Sequence, residues 1–94
     1  MREIILTVRF KRSLKKFVRR NALLQKQVEQ TLKLMQEDTF APSLMVHRLK
    51  GEYEGLRACS CGYDCRIIFY LERDEENQTD RIVLINIGTH DEVY

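Results

Sequence analysis

No apolar run in this chain approaches the roughly 20 residues needed to span a bilayer, so no membrane-spanning helix and no membrane partner are expected. The N-terminus lacks the apolar core of a signal peptide, and the cytoplasm is the expected location. Cysteine is scarce and odd in number: three residues crowd between Cys59 and Cys65. That is not the paired framework of a small disulfide-stapled fold, and free thiols in a reducing compartment are the expectation. There is no glycine-rich phosphate loop and no Ser/His/Asp or Cys/His nucleophile pattern. No internal repeat, linker or low-complexity tract divides the chain, which is expected to form one domain over residues 1–94.

What is present is an ordinary globular balance, 44% hydrophobic and 32% charged, with a formal net charge of +2. The small total conceals a polarity. Residues 1–50 carry 12 Lys/Arg against 4 Asp/Glu, and residues 51–94 carry 4 against 10. Such asymmetry suits a face built for a polyanion or an acidic partner, although two solvated faces that attract each other remain an alternative.

Residues 3–9 are apolar and β-rich and predict a first strand. In residues 10–20, Phe10, Leu14, Phe17 and Val18 share one helical face while Lys11, Arg12, Lys15, Lys16, Arg19 and Arg20 fill the rest, the pattern of an amphipathic helix with a basic outer surface. Asn21 interrupts it and suits the N-cap of a second helix over about 22–38. There Leu24, Val28, Leu32 and Met35 form the stripe, widened by Leu23 and Leu34. Thr39 to Ser43, with the lone Pro42, reads as a loop, and His47 to Gly55 as a segment of turns.

Strands are then expected at 56–61, at 66–72 and from Arg81 to Ile87, with a tight turn at Gly62-Tyr63-Asp64 and a polar loop at 74–80. The last strand is dense in β-branched residues and reads as buried on both faces. Gly88 permits a sharp turn behind it, and an imidazole, two carboxylates and a phenol follow. The expected class is α+β in the order β-α-α-β-β-β: a small, mainly antiparallel sheet with a helical hairpin on one face and an open, concave opposite face.

Three groups of residues could carry chemistry. His47, Arg48, Lys50, Arg57, Asp64, Arg66, His90 and Tyr94 make an acid–base and phosphate set. Cleaving an RNA phosphodiester needs a base for the 2′-hydroxyl, an acid for the leaving 5′-oxygen and a cation for the growing phosphate charge. Both histidines lie in polar segments, and an arginine opening a central strand is rigidly held for a phosphate. The second group, Cys59-x-Cys61-x₃-Cys65 with Asp64 or His47 as a fourth ligand, lacks the second Cys pair of structural zinc sites. Buried packing thiols are the better reading, and no metal is expected. The third is the basic helix, whose Lys11, Arg12, Lys15 and Lys16 could contact RNA phosphates through charge alone.

Three segments together resemble the RelE/ParE superfamily of bacterial toxins: Leu49-Lys-Gly-x₃-Gly-Leu-Arg57, Tyr63-Asp-Cys-Arg-Ile-Ile-Phe-Tyr70 and Ile87-Gly-Thr-His-Asp-Glu-Val-Tyr94. The resemblance is to its YafQ and RelE branch of ribosome-dependent mRNA interferases, and it spans nearly the whole chain. It implies a RelE-like type II toxin that enters the A site of the 70S ribosome, contacts 16S rRNA and cuts mRNA by 2′-hydroxyl attack without metal or cofactor. It also implies a cognate antitoxin protein that wraps and suppresses it. Carried over by position, His90 would be a general acid or base, Asp64 its complement or orienting partner, and His47 a further histidine. Arg66 would stabilise the phosphorane, and Tyr94 would stack on or position a base. One departure is Ser60, which stands where the YafQ pattern has a histidine. The alternatives are a ParE-like, non-enzymatic inhibitor of DNA gyrase and a catalytically degenerate member of the fold that only binds.

Overall fold

A computed structural model describes residues 1–94. Its frame is a five-stranded sheet built from β1 (Ile4–Leu6), β2 (His47–Arg48), β3 (Arg57–Ser60), β4 (Arg66–Asp74) and β5 (Thr79–Gly88), in the order β1-β5-β4-β3-β2. β1 runs parallel to β5, and every other pairing is antiparallel. The helices are α1 (Val8–Phe17), α2 (Ala22–Glu37) and a short α3 (His90–Val93).

The expected α+β order holds, with two additions. His47 and Arg48, read from sequence as part of a turn segment, form the edge strand β2 against Ala58 and Arg57. Two residues carry no periodicity, so only their pairing reveals them. The segment behind Gly88, read as a turn and a polar tail, coils into α3. Thr89 Oγ1 accepts from Glu92 N at 3.3 Å and Glu92 Oε1 accepts from Thr89 N at 2.8 Å, a capping box that starts the helix. Gly88 does not make a left-handed turn. Its contribution is room: a Cβ there would stand 3.1 Å from both Cβ and Oε1 of Glu92.

α1 begins one residue after β1. Thr7 Oγ1 caps it by accepting from Phe10 N at 3.1 Å and donates to Leu84 O at 2.7 Å, pinning the helix start to β5. Phe10 is fully buried, with Leu14, Phe17 and Val18 packed behind it. The helix ends at Phe17 rather than Arg20, because the joint to α2 needs Arg20 in the left-handed region at φ 57°. Asn21 caps α2 as expected, its Oδ1 accepting from Leu24 N at 3.0 Å. Leu24, Val28, Leu32 and Met35 do form the buried stripe, whereas Leu23 is exposed and lies outside it.

The core between helices and sheet includes Cys59, Cys61, Cys65, Ile67, Phe69, Ile82, Leu84 and Ile87. Leu84 and Ile87 are three apart, which would put them on opposite faces of a regular strand. An irregularity in register, from Ile68↔Asn86 to Phe69↔Leu84, inserts Ile85 as an extra residue and restores the phase. The opposite face is less open than expected: Ala58, Ile68 and Val93 form a second small core there, under Leu49, Leu56 and Ile85.

The cysteine reading needs correction. Cys61 and Cys65 are disulfide-bonded, their Cα atoms 5.1 Å apart. The tight turn brings the two ends of a strand pair together, a geometry that a three-residue gap in sequence does not announce. Cys59 alone is free, buried, with its Sγ 3.8 Å from Met35 Sδ. No helix is long and apolar enough to cross a membrane.

Candidate active site

Antiparallel pairing brings the C-terminal end of β5 beside the start of β4, and the end of β3 beside both: Arg66 pairs with Gly88 and with Ser60. Residues far apart in the chain therefore converge at one sheet end. A cavity of about 250 Å³ there is lined by Met45, His47, Ser60, Arg66, His90 and Tyr94. Four of the five expected catalytic residues line it.

Arg66 is the anchor. Its Nη1 donates to Cys65 O at 2.9 Å, to Gly62 O at 3.2 Å and to Ser60 Oγ at 3.5 Å. One nitrogen is thus spent on bracing the β3–β4 turn, while the other guanidinium nitrogens make no hydrogen bond and no carboxylate lies within ion-pair distance. A half-buried, unpaired guanidinium is a ready seat for an anion.

His47 lies on the edge strand with Nδ1 3.1 Å from Met45 O. A carbonyl only accepts, so Nδ1 holds a proton in this contact and Nε2 is left open. His90 is the first residue of α3. Its Nδ1 lies 3.5 Å from Asp91 Oδ1, and its ring meets that of Tyr94 edge-on, with centroids 4.6 Å apart. The C-terminal ring is held in place, since Tyr94 N also donates to His90 O at 3.1 Å. Burial raises the Tyr94 phenol above its ordinary value; the Arg66 charge opposes this and Cys59 adds to the rise. The phenol therefore stays protonated at neutral pH, as a donor and not as a phenolate base.

Asp64 does not line the cavity. Its Oδ1 accepts from the backbone N of His90 at 3.1 Å, so it orients the histidine by holding the start of α3 rather than by touching the ring. The ring's carboxylate neighbour is Asp91, which the sequence reading did not single out. The signal was there, in an acid directly behind His90, but adjacency in sequence does not tell which carboxylate meets the imidazole. Ser60, noted only as a missing histidine, accepts from Arg66 and from Gly62 N at 3.4 Å. It is structural support for the arginine.

The remaining cations occupy other places. Arg48, Lys50 and Arg57 line a separate groove of about 610 Å³ with Leu49, Leu56 and Glu54. Arg57 also lies over the Phe40 ring, 5.6 Å from its centroid. Lys11, Arg12, Lys15 and Lys16 are exposed on α1. Lys16 borders a third cavity, of about 420 Å³, with Arg9, Asn86, Thr89 and Glu92. No group of three or more His, Cys, Asp or Glu is placed to hold a metal ion.

Two helices over a five-stranded mixed sheet, with α3 closing one sheet end, define the class as the RelE-like fold. The chain belongs to the YafQ toxin family: the family described as bacterial toxin of type II toxin–antitoxin system, YafQ, matches residues 2–94. Among solved structures, YafQ from E. coli strain BL21(DE3) superposes with a TM-score of 0.79 at 16% identity, over 100% of this chain and 99% of that one. A metal-bound toxin from Helicobacter pylori gives 0.76 at 24% identity, over 100% of both chains. The E. coli DinJ–YafQ toxin–antitoxin complex gives 0.72 at 18% identity, over 99% and 97%. No curated protein matches the chain.

Proposed function

We propose that this type II toxin is a ribosome-dependent endoribonuclease that cuts mRNA in the ribosomal A site. The observation that carries the reading is Arg66: a half-buried guanidinium without a carboxylate partner, sharing a cavity with His47, His90 and Tyr94. That is the donor set a cyclising phosphodiester cleavage requires.

In this mechanism the RNA 2′-hydroxyl attacks the adjacent phosphorus and expels the 5′-oxygen, leaving a 2′,3′-cyclic phosphate and a 5′-hydroxyl. One imidazole takes the proton of the 2′-hydroxyl and the other delivers a proton to the leaving oxygen. The open Nε2 of His47 and the exposed ring of His90 supply these two positions. Arg66 holds the charge that grows on the phosphate, and the neutral Tyr94 phenol donates and positions. Asp64 keeps His90 in place. No step calls for a metal or cofactor.

The groove of Arg48, Lys50 and Arg57, with Lys11, Arg12, Lys15 and Lys16 on α1, would meet phosphates of mRNA and of 16S rRNA in the 70S ribosome. On this reading the toxin acts in the cytoplasm, as one domain over residues 1–94. A cognate antitoxin would cover it, as DinJ binds YafQ in the E. coli complex; acidic antitoxin residues would meet the basic surface of α1.

Induction in a bacterial host tests the reading. Wild-type protein should arrest growth with shortened mRNA, and His90→Ala and Arg66→Ala should relieve the arrest while circular dichroism stays unchanged. Arrest with intact mRNA and relaxed plasmid DNA would instead support gyrase inhibition.

A further inference from the structure

Tyr63 sits at the tip of the β3–β4 turn, at 101% relative exposure the most exposed large hydrophobic side chain of the molecule. Single exposed aromatics are common, but this one is carried by an unusually braced segment. Cys61 N donates to Cys65 O at 3.0 Å and Cys65 N to Gly62 O at 3.3 Å. Ser60 Oγ and Arg66 Nη1 both donate to Gly62 O at 3.2 Å. The Cys61–Cys65 disulfide closes the segment. Gly62 has φ 131°, a backbone conformation that a side chain would strain, so the turn needs glycine there. Asp64, directly after Tyr63, is held at φ 51° and accepts from His90 N.

The turn therefore fixes the backbone under Tyr63, one residue before the aspartate that holds His90 and three before Arg66, while the ring has nothing of its own chain to pack on. We propose that Tyr63 is a base-stacking residue, its ring covering an unpaired base of the RNA strand that flanks the phosphate held by Arg66. The inference rests on the mRNA-cleavage reading and adds a substrate contact to it. The chemistry favours a base over a protein partner. One aromatic face is enough to stack a base, and nearby cations hold its phosphate. A protein interface needs contiguous apolar area, and the turn around Tyr63 offers only Ser60, Gly62 and Asp64.

Tyr63→Ala and Tyr63→Phe, compared with wild type on 70S ribosomes programmed with a defined mRNA, test this. The alanine variant should raise the half-saturating substrate concentration about ten-fold with kcat within about three-fold of wild type, and the phenylalanine variant should restore it. Quenching of a 2-aminopurine base in a 2′-O-methyl oligoribonucleotide should be lost with Tyr63→Ala and kept with Tyr63→Phe. Unchanged cleavage and quenching in Tyr63→Ala would overturn the proposal, as would a parallel loss of kcat and melting temperature. Weakened antitoxin binding with intact quenching would assign the ring to a protein interface and overturn it too. A wild-type protein that quenches but does not cleave would sink the nuclease reading and leave stacking standing.

Discussion

Asp64 and His90, 26 residues apart, are joined by one hydrogen bond: Asp64 Oδ1 accepts the backbone N–H of His90 at 3.1 Å. The aspartate of the β3–β4 turn thus sets the start of α3, and with it the position of the imidazole. This separates an orienting role from a proton-transfer role, because an amide oxygen accepts the same bond and a methyl group does not. Asp64→Asn should keep cleavage within a few-fold of wild type, and Asp64→Ala should lose about ten-fold, in line with about 1.5 kcal/mol for a charge-assisted hydrogen bond. Single-turnover rates of both variants check it.

Arg66 braces the turn through Nη1 and lines the cavity with its other guanidinium nitrogens unbonded. Lysine supplies charge without the fork. Arg66→Lys should therefore lose about 10²-fold in cleavage, close to the loss expected for Arg66→Ala. A lysine variant with near-wild-type rate would show that charge alone suffices. Thermal melts on both variants report the cost of the lost brace separately.

Cys59 should be chemically silent. Burial pushes its thiol up to about 12, against a smaller lowering by the Arg66 charge. At pH 8 the thiolate fraction is on the order of 10⁻⁴, and the side chain is fully enclosed. Native protein treated with iodoacetamide should gain no mass. After unfolding without reductant it should gain one adduct, at Cys59, and after unfolding with reductant three, since Cys61 and Cys65 are then released.

Acid stability should depend on Asp74. The side-chain amide of Asn77, donating at 2.8 Å, holds this carboxyl below its ordinary range. Burial works in the opposite direction, while Asn77 N, Arg81 and Glu76 N add to the lowering. Because the folded value lies below the unfolded one, the ionised carboxylate contributes stability above pH about 4, and that contribution is lost as pH falls through the folded value. The melting temperature should drop on acidification below pH 4, and Asp74→Asn should flatten that limb.

How far the sequence could be read depends on how local the cause is. The stripe Phe10, Leu14, Phe17 and Val18 specifies α1, and Asn21 specifies where α2 begins, because both signals lie within a turn or two of the chain. The grouping of His47, Arg66, His90 and Tyr94 was legible through residue type and resemblance, and the fold brings these four to one cavity. What stayed hidden is relational. β2 exists only through its pairing with β3, and the extra residue Ile85 only through a register shift against β4. The Cys61–Cys65 bond depends on a turn geometry that Gly62 and Asp64 create jointly. The imidazole's carboxylate neighbour depends on how α3 folds back over Gly88.

The most direct measurement is in vitro translation of a defined mRNA, read by primer extension, with wild-type protein beside His90→Ala. Cuts within the A-site codon that require ribosomes and vanish in the variant are the expected result. Blocked translation without cuts, or cuts that persist unchanged in His90→Ala, would contradict it.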